Sequence, residues 1–442
     1  MNFKNLIEKA KIAGLTDLEI YHQKTKSFSL TFFDGKMDNV NNNNTDAAAF
    51  RCLYNGKMGY VSSENLAEEK AEFIVNRLKD NAGVISSEEK TILFPGSKEY
   101  EKVNEEYDDF TKIPVADKMN LIKQISDIAF SLDKRVAHFQ VRYSESEVSV
   151  NLLNSLGLNL KKHYSFATIS AQLVVQDGEE NKSDYDYKVV KKFKDFKPEE
   201  FAEGLVAATL KRLSAGKVKT GKYNVVFENK TFASFLQAIS GIFSGEAVMR
   251  GLSCLKDKLN SSIGSEAVNF IDNPLFKEAN FIQTFDDEGV ATKNKTLVEK
   301  GVLKTFHHSL KSAAHFNLES TGNGFKRTID AAVAVLPHNF YLDKGKDSVE
   351  DLAKKCGNGI YITELNGLHS GISMVSGSFS LQSSGFVIKD GKIAEPVTLF
   401  VTSGNIIELF QAIKAVGNDL SFNFGHIGSP SVLVENISIA GE

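Results

Sequence analysis

Two-residue turn signals recur through the first half of this chain, each flanked by alternating apolar and polar residues, and they constrain it most. Phe28, Leu30 and Phe32 alternate with Ser29 and Thr31 before Asp34-Gly35. The run from Ala47 to Tyr54 leads into Asn55-Gly56 and then Met58 to Val61. An Asn-Gly or Asp-Gly pair between alternating segments favours the left-handed backbone of a tight antiparallel hairpin. Asn41 to Asn44 reads as a polar loop. Helical spacing brackets this block: Phe3, Leu6, Ile7 and Ala10 before it, and Ala67, Ala71, Ile74, Val75 and Leu78 after it.

The same order returns further on. Met119, Ile122, Ile125, Ile128 and Ala129 predict a helix, and Ala137–Tyr143, Glu147–Leu153, Leu158–Tyr164 and Ser165–Val175 predict strands. Asp177-Gly178 turns the chain, and Pro198–Leu213 predicts a closing helix. The reading is α+β: an N-terminal half, 1–218, of two similar αβ4α units at about 1–80 and 115–216 with antiparallel sheet, joined by a polar linker over 81–114. The shared layout suggests an internal duplication. A C-terminal domain over 219–442 is rich in antiparallel strands and glycine. Near its start Phe232, Phe235, Leu236, Ile239 and Phe243 form an apolar helical stripe that belongs in a core.

Composition excludes several classes. A net charge of −4 over 442 residues carries no polybasic footprint for nucleic acid. Cys52, Cys254 and Cys356 are far apart and odd in number, which speaks against a disulfide framework or a local zinc knuckle and for a reducing cytosol. Lys4, Glu8, Lys9 and Lys11 interrupt the first apolar stretch, unlike a signal peptide. No apolar run approaches the roughly 18 residues of a membrane span.

Several clusters invite chemistry. Asp286-Asp287-Glu288-Gly289 offers three carboxylates, but adjacent residues cannot all face one ion, and a polar turn is the plainer outcome. His307-His308 points to opposite faces if extended, and a structural role is the plainer expectation there too. Ser320-Thr321-Gly322-Asn323-Gly324, followed by Lys326-Arg327, is only loosely like an anion-cradling loop, and the Walker pattern is absent. Ser376-Gly377-Ser378 and Ser383-Ser384-Gly385 are not nucleophile elbows. Ser244 to Gly251 carries Glu246 and Arg250 at helical i,i+4 spacing, the favourable order for an ion pair.

Phe285-Asp-Asp-Glu-Gly-Val290, Leu297-Val-Glu-Lys-Gly-Val-Leu303, Ser320-Thr-Gly-Asn-Gly324 and Gly404-Asn-Ile-Ile-Glu-Leu409 together resemble the TldD/PmbA family, also called modulators of DNA gyrase. The resemblance spans essentially the whole chain. In its TldD branch a His-Glu-x-x-x-His helix and a cysteine near the C-terminus hold zinc; the PmbA branch, also called TldE, lacks them and pairs with TldD. This sequence is similar to the PmbA/TldE branch. Glu246 falls at the family's glutamate, Gly245 and Arg250 occupy the two histidine positions, and Phe424-Gly-His-Ile-Gly-Ser-Pro430 has no cysteine. A guanidinium about 5 Å from a divalent ion costs roughly 6 kcal/mol at an effective dielectric near 20.

The resemblance implies a cytosolic, non-catalytic subunit of a metallopeptidase complex that degrades or processes unfolded peptides. It implies no metal or cofactor in this chain, zinc in a TldD-type partner, and a heterodimer with that partner or a homodimer. Neither direct nucleic-acid nor membrane contact is expected. Glu246 is the catalytic-position residue, expected inactive, and Thr321, Gly322, Asn323 and Gly324 are the candidates for a peptide groove. Two alternatives stand beside it: an independent zinc peptidase using His307, His308, His315, His369 or His426, and a protein-binding modulator of DNA gyrase.

Overall fold

The computed structural model describes residues 1–85 and 93–442. They form two compact units. The first comprises 1–213 with 287–291 and 326–333, and the second 214–286, 292–325 and 334–442.

The first unit runs α1 (Phe3–Ile12), β1 (Thr16–Phe33), β2 (Lys36–Tyr54), β3 (Lys57–Ser63), α2 (Ala71–Val84), α3 (Val115–Leu132), β4 (Val136–Asn154), β5 (Asn159–Asp177), β6 (Glu180–Val190) and α4 (Pro198–Leu210). Each half therefore has three strands between its helices, where the sequence reading expected four. The difference lies in strand length and in one strand not foreseen: Ala137–Tyr143 and Glu147–Leu153 are a single strand, β4, and β6 was not expected. Leu158–Tyr164 and Ser165–Val175 are one strand, β5, and Asn41–Asn44 is part of β2 rather than a loop. Asn44 to Asn41 pair in register with Lys26 to Ser29 of β1, so ladder hydrogen bonding overrides their low strand propensity.

All pairings in this sheet are antiparallel, in the order β3-β2-β1-β4-β5-β6. The two halves meet at β1 and β4. The hairpin signals act as expected: Asp34, Gly35, Asn55 and Gly56 all have positive φ, the geometry of a two-residue turn matched to strand twist. Gly59 has a different reason to be glycine, since a Cβ there would lie 2.2 Å from the Leu78 carbonyl oxygen of α2. Helices cover one sheet face at both ends. Leu6 of α1 and Ile74 and Leu78 of α2 bury against Ile20 and Phe50, while Ile122 and Ile125 of α3 and Leu205 of α4 bury against Leu30, Tyr143 and Ile169.

The second unit continues with β7 (Gly221–Phe227), α5 (Asn229–Ile239), α6 (Gly245–Met249), β8 (Phe270–Asp272), β9 (Lys295–Glu299), β10 (Val302–Leu303), α7 (Leu310–His315), β11 (Gly324–Phe325), β12 (Ala334–Val335) and β13 (Phe340–Leu342). It ends with α8 (Val349–Cys356), β14 (Gly359–Asn366), β15 (Ser378–Lys389), β16 (Lys392–Asn405), α9 (Ile406–Gln411), β17 (Ile413–Val416), β18 (Ser421–Phe422), β19 (Ile427–Ser429) and β20 (Val432–Ala440). One sheet runs β16-β15-β14-β7-β20-β17, and β16 also pairs with β20, closing a ring of five strands. A second runs β10-β9-β8-β13-β19-β18. Pairing is mostly antiparallel, with β7–β14 and β13–β19 parallel. The Phe232, Phe235, Leu236, Ile239 and Phe243 stripe lies in the core shared by these sheets. Among the described residues no helix is long and apolar enough to cross a membrane.

Candidate functional site

A 3-10 turn over Ser240–Phe243 separates α5 from α6. The Ser244 hydroxyl caps α6, accepting from the Ala247 N–H, and the Gly245 N–H donates to the His307 carbonyl at 2.8 Å. Within α6 and its C-cap, Arg250 Nη2 donates to Glu246 Oε1 at 2.6 Å. Lys311 Nζ stands 4.0 Å from the same oxygen. The glutamate is thus held between two cations on a partly open surface.

Gly245 is the tight point of this stretch. A Cβ on it would lie 2.3 Å from His308 Nδ1, inside any van der Waals contact. The histidine ring fills the space that a side chain at 245 would occupy. His308 is buried, its Nδ1 is 3.3 Å from the Ser312 hydroxyl, and burial pushes its pKa down to about 4, with His307 adding to the shift. It is a neutral packing residue.

The candidate loop at 320–324 reaches the same segment. The Thr321 N–H donates to the His308 carbonyl, and its hydroxyl oxygen accepts from the His308 N–H at 2.7 Å. Gly322 has φ +71° and donates its N–H to the Ser320 hydroxyl. Asn323 is fully buried: its Nδ2 donates to Asp272 Oδ2 at 2.7 Å and to the Leu336 carbonyl at 2.9 Å. The Gly324 N–H donates to Asp286 Oδ2 at 2.9 Å. The fold therefore joins 244–251 and 320–324, far apart in sequence, through His307-His308.

Asp272, which nothing in the sequence singled out, is the centre beneath them. It is completely buried, with Lys295 Nζ at 3.1 Å, His307 Nε2 at 3.0 Å and the His338 N–H at 3.0 Å. Burial alone would raise its pKa; the Lys295 charge, with His307 and Asn323, outweighs burial and holds the carboxyl well below its usual range. His307 shifts down through burial, opposed by Asp272. The other carboxylates of the 286–288 run part company. In the first unit Asp287 accepts from Lys162 Nζ at 3.1 Å and from the Lys326 N–H, and Glu288 lies 3.8 Å from Arg51, which is bidentate to Glu19 at 2.6 and 3.0 Å. Three neighbouring acids thus serve three sets of partners, in the manner of a structural turn.

A zinc ion in a hydrolase needs about three protein donors and an open position. Gly245 offers no donor and no room, and Arg250 carries charge of the metal's own sign, so this stretch does not fit the ion. Among the described residues, no group of three or more His, Cys, Asp or Glu side chains is placed to hold a metal.

The geometry defines the class first: an α+β protein of two compact units built on antiparallel sheets. The matching family models are the PmbA/TldA metallopeptidase domain 1 over 18–82, central domain over 108–214 and C-terminal domain over 220–441. The chain belongs to the PmbA/TldD metallopeptidase family. Metalloprotease PmbA of Escherichia coli O157:H7 is 24% identical over 96% of this chain and 92% of its own length. The PmbA homologue of Buchnera aphidicola from Acyrthosiphon pisum is 26% identical over 99% and 96%. A crystal structure from Thermotoga maritima, described as a candidate modulator of a DNA gyrase, superposes with TM-score 0.91 at 31% identity over 99% of both chains. TldE from Thermococcus kodakarensis shares the fold, with TM-score 0.87 at 22% identity over 99% of this chain and 100% of its own.

Proposed function

We propose that this chain is the PmbA/TldE-type, non-catalytic subunit of a TldD/PmbA metallopeptidase complex that degrades or trims unfolded peptides in the cytosol. Zinc and the water-activating glutamate come from a TldD-type partner, with which this chain forms a heterodimer. The observation that carries the reading is the His308 ring against Gly245: the first ligand position of the active branch is filled by a neighbour, and the second is a guanidinium paired to Glu246. The names of the relatives support the protease-related part of this reading.

The test mixes this chain with a TldD-type partner and follows peptide cleavage for each alone and for the pair. Cleavage is expected only in the pair, untouched by Glu246→Gln here and abolished by the same change at the partner's glutamate. Equal loss from Glu246→Gln, or stoichiometric zinc with chelator-sensitive cleavage by this chain alone, overturns it. Sizing chromatography of the mixture separates a heterodimer from a homodimer of this chain.

A further inference from the structure

On the helix-bearing face of the first unit's sheet, among the described residues, the helices pack only at the two ends. Between them directly paired strands put polar residues in rows. His22, Asn151 and Lys161 form one row, Lys24, Ser149 and His163 the next. They line a cavity of about 380 Å³. The following row, with Lys26 and Glu147, opens a second cavity of about 320 Å³. Three rows occupy roughly 14 Å along the strands, and the four strands β2, β1, β4 and β5 about the same distance across, room for about four extended residues. The α3 side is closed by the buried Lys118–Glu145 pair at 2.7 Å, and the α1 side by Phe3, whose ring meets His22 edge-on at 5.0 Å.

We infer that this trough binds an extended, carboxylate-bearing peptide segment. Three lysines and two imidazoles face it, against the carboxylates of Asp46 and Glu147. Asp46 is shared by His22 at 2.6 Å and Lys24 at 2.9 Å, and Glu147 pairs with Lys26 at 3.1 Å and stands 3.8 Å from His163. Among the described residues Lys161 has no ion-pair partner. The second observation is Asn151: its side-chain oxygen is shielded from solvent and accepts no hydrogen bond. Asn151 lines the same cavity as Lys161, so the trough wall carries an acceptor that no protein donor uses. A peptide offers backbone N–H donors to Asp46 and Glu147 as well as a carboxylate to the lysines, whereas a phosphate chain has no donor to set against those two acids. The inference takes its ligand class from the peptide-handling reading above and owes nothing to the partner or the metal.

The experiment titrates the whole chain, alone, into a fluorescein-labelled hexapeptide of alternating Glu and Ala, and follows anisotropy. Its C-terminal amide and its Gln-for-Glu counterpart separate the terminal carboxylate from side-chain carboxylates as the group recognised. Loss on either change supports the trough. Lys161→Glu, at an exposed position that leaves the fold intact by circular dichroism, is expected to weaken binding at least tenfold, and Asn151→Leu several-fold. The inference fails if the amidated Gln peptide binds as well as the parent or the parent does not bind at millimolar protein. It also fails if Lys161→Glu changes nothing or a hexanucleotide binds more tightly. Peptide binding without any paired cleavage would sink the subunit reading and leave the trough standing; paired cleavage without binding here would do the reverse.

Discussion

Two carboxylates lie on segments that meet at His307-His308, and they carry their charge in opposite ways. Glu246 is one residue past the Gly245 N–H that donates to the His307 carbonyl, and Asp272 lies beside the His307 ring. Glu246 sits on α6 beside Gly245, with a side chain 22% exposed, and its partner Arg250 is 54% exposed. Asp272 has no exposure at all and gathers Lys295, His307, Asn323 and the His338 N–H around it. The residue conspicuous in the sequence is energetically slight. The inconspicuous one holds β8, β9 and the 307–308 and 320–324 segments in register. An ion pair near water exchanges solvation for attraction almost evenly, whereas a buried charge must be matched or leave its neighbours uncompensated.

The strongest way to break that contrast is Asp272→Ala. It strands Lys295 in the core, and losing one partner of a buried pair costs about 3–5 kcal/mol. Urea unfolding is expected to lose most of its midpoint, and a shift comparable to that of a surface mutant would equate the two sites. Next in size is acid. His308 titrates near 6.5 when unfolded and about 4 when folded, so its contribution is complete above pH 6.5 and drains away as pH falls toward 4. The loss is roughly 3 kcal/mol for such a shift. His307 shifts in the same direction, so His308→Gln should reduce, without abolishing, the slope of stability against pH across that window. An unchanged slope would place the titration elsewhere.

How legible all this was depends on the range of the signal. Asn55-Gly56 and Asp34-Gly35 announce their turns because positive φ is a local requirement that few residues meet. The apolar stripe of α5 announces a core for the same reason, a period within one helix. Strand length was hidden: Asn41–Asn44 has neither alternation nor β-branched residues and is extended only because β1 lies beside it. Both faces of the strand are polar at those asparagines, so the alternation that normally betrays a strand is missing there. Asp272 was silent as well, since a single carboxylate in Phe270-Ile-Asp-Asn273 looks like any strand end until Lys295 and His307 are brought to it. Gly245 was read as an absent ligand, and the reason no side chain fits there, the His308 ring, lies sixty-three residues away in the sequence.

That ring makes a sharper test possible. Gly245→His should lower stability by about 1–3 kcal/mol, the range for overpacking a closed site, because its Cβ collides with His308. Zinc by elemental analysis should remain below stoichiometric, since Arg250 still faces the glutamate. Pairing Gly245→His with Arg250→His and His308→Ala removes both obstacles. If that triple variant is more stable than Gly245→His alone, the clash with His308 is the cause.

Arg250→Ala is the smallest effect and separates the two carboxylates most cleanly. An exposed i,i+4 pair contributes about 0.3–0.5 kcal/mol, and Lys311 remains near the Glu246 oxygen to keep part of the field. The unfolding midpoint should therefore move only slightly, and less again in molar salt, where screening shortens the reach of surface charges to about 3 Å. Cleavage by the mixed complex should not change. A loss of 2 kcal/mol or more would mean that Arg250 acts as a buried cation of the Lys295 kind, and that the 244–251 segment is held together by charge rather than by the packing of His308 against Gly245.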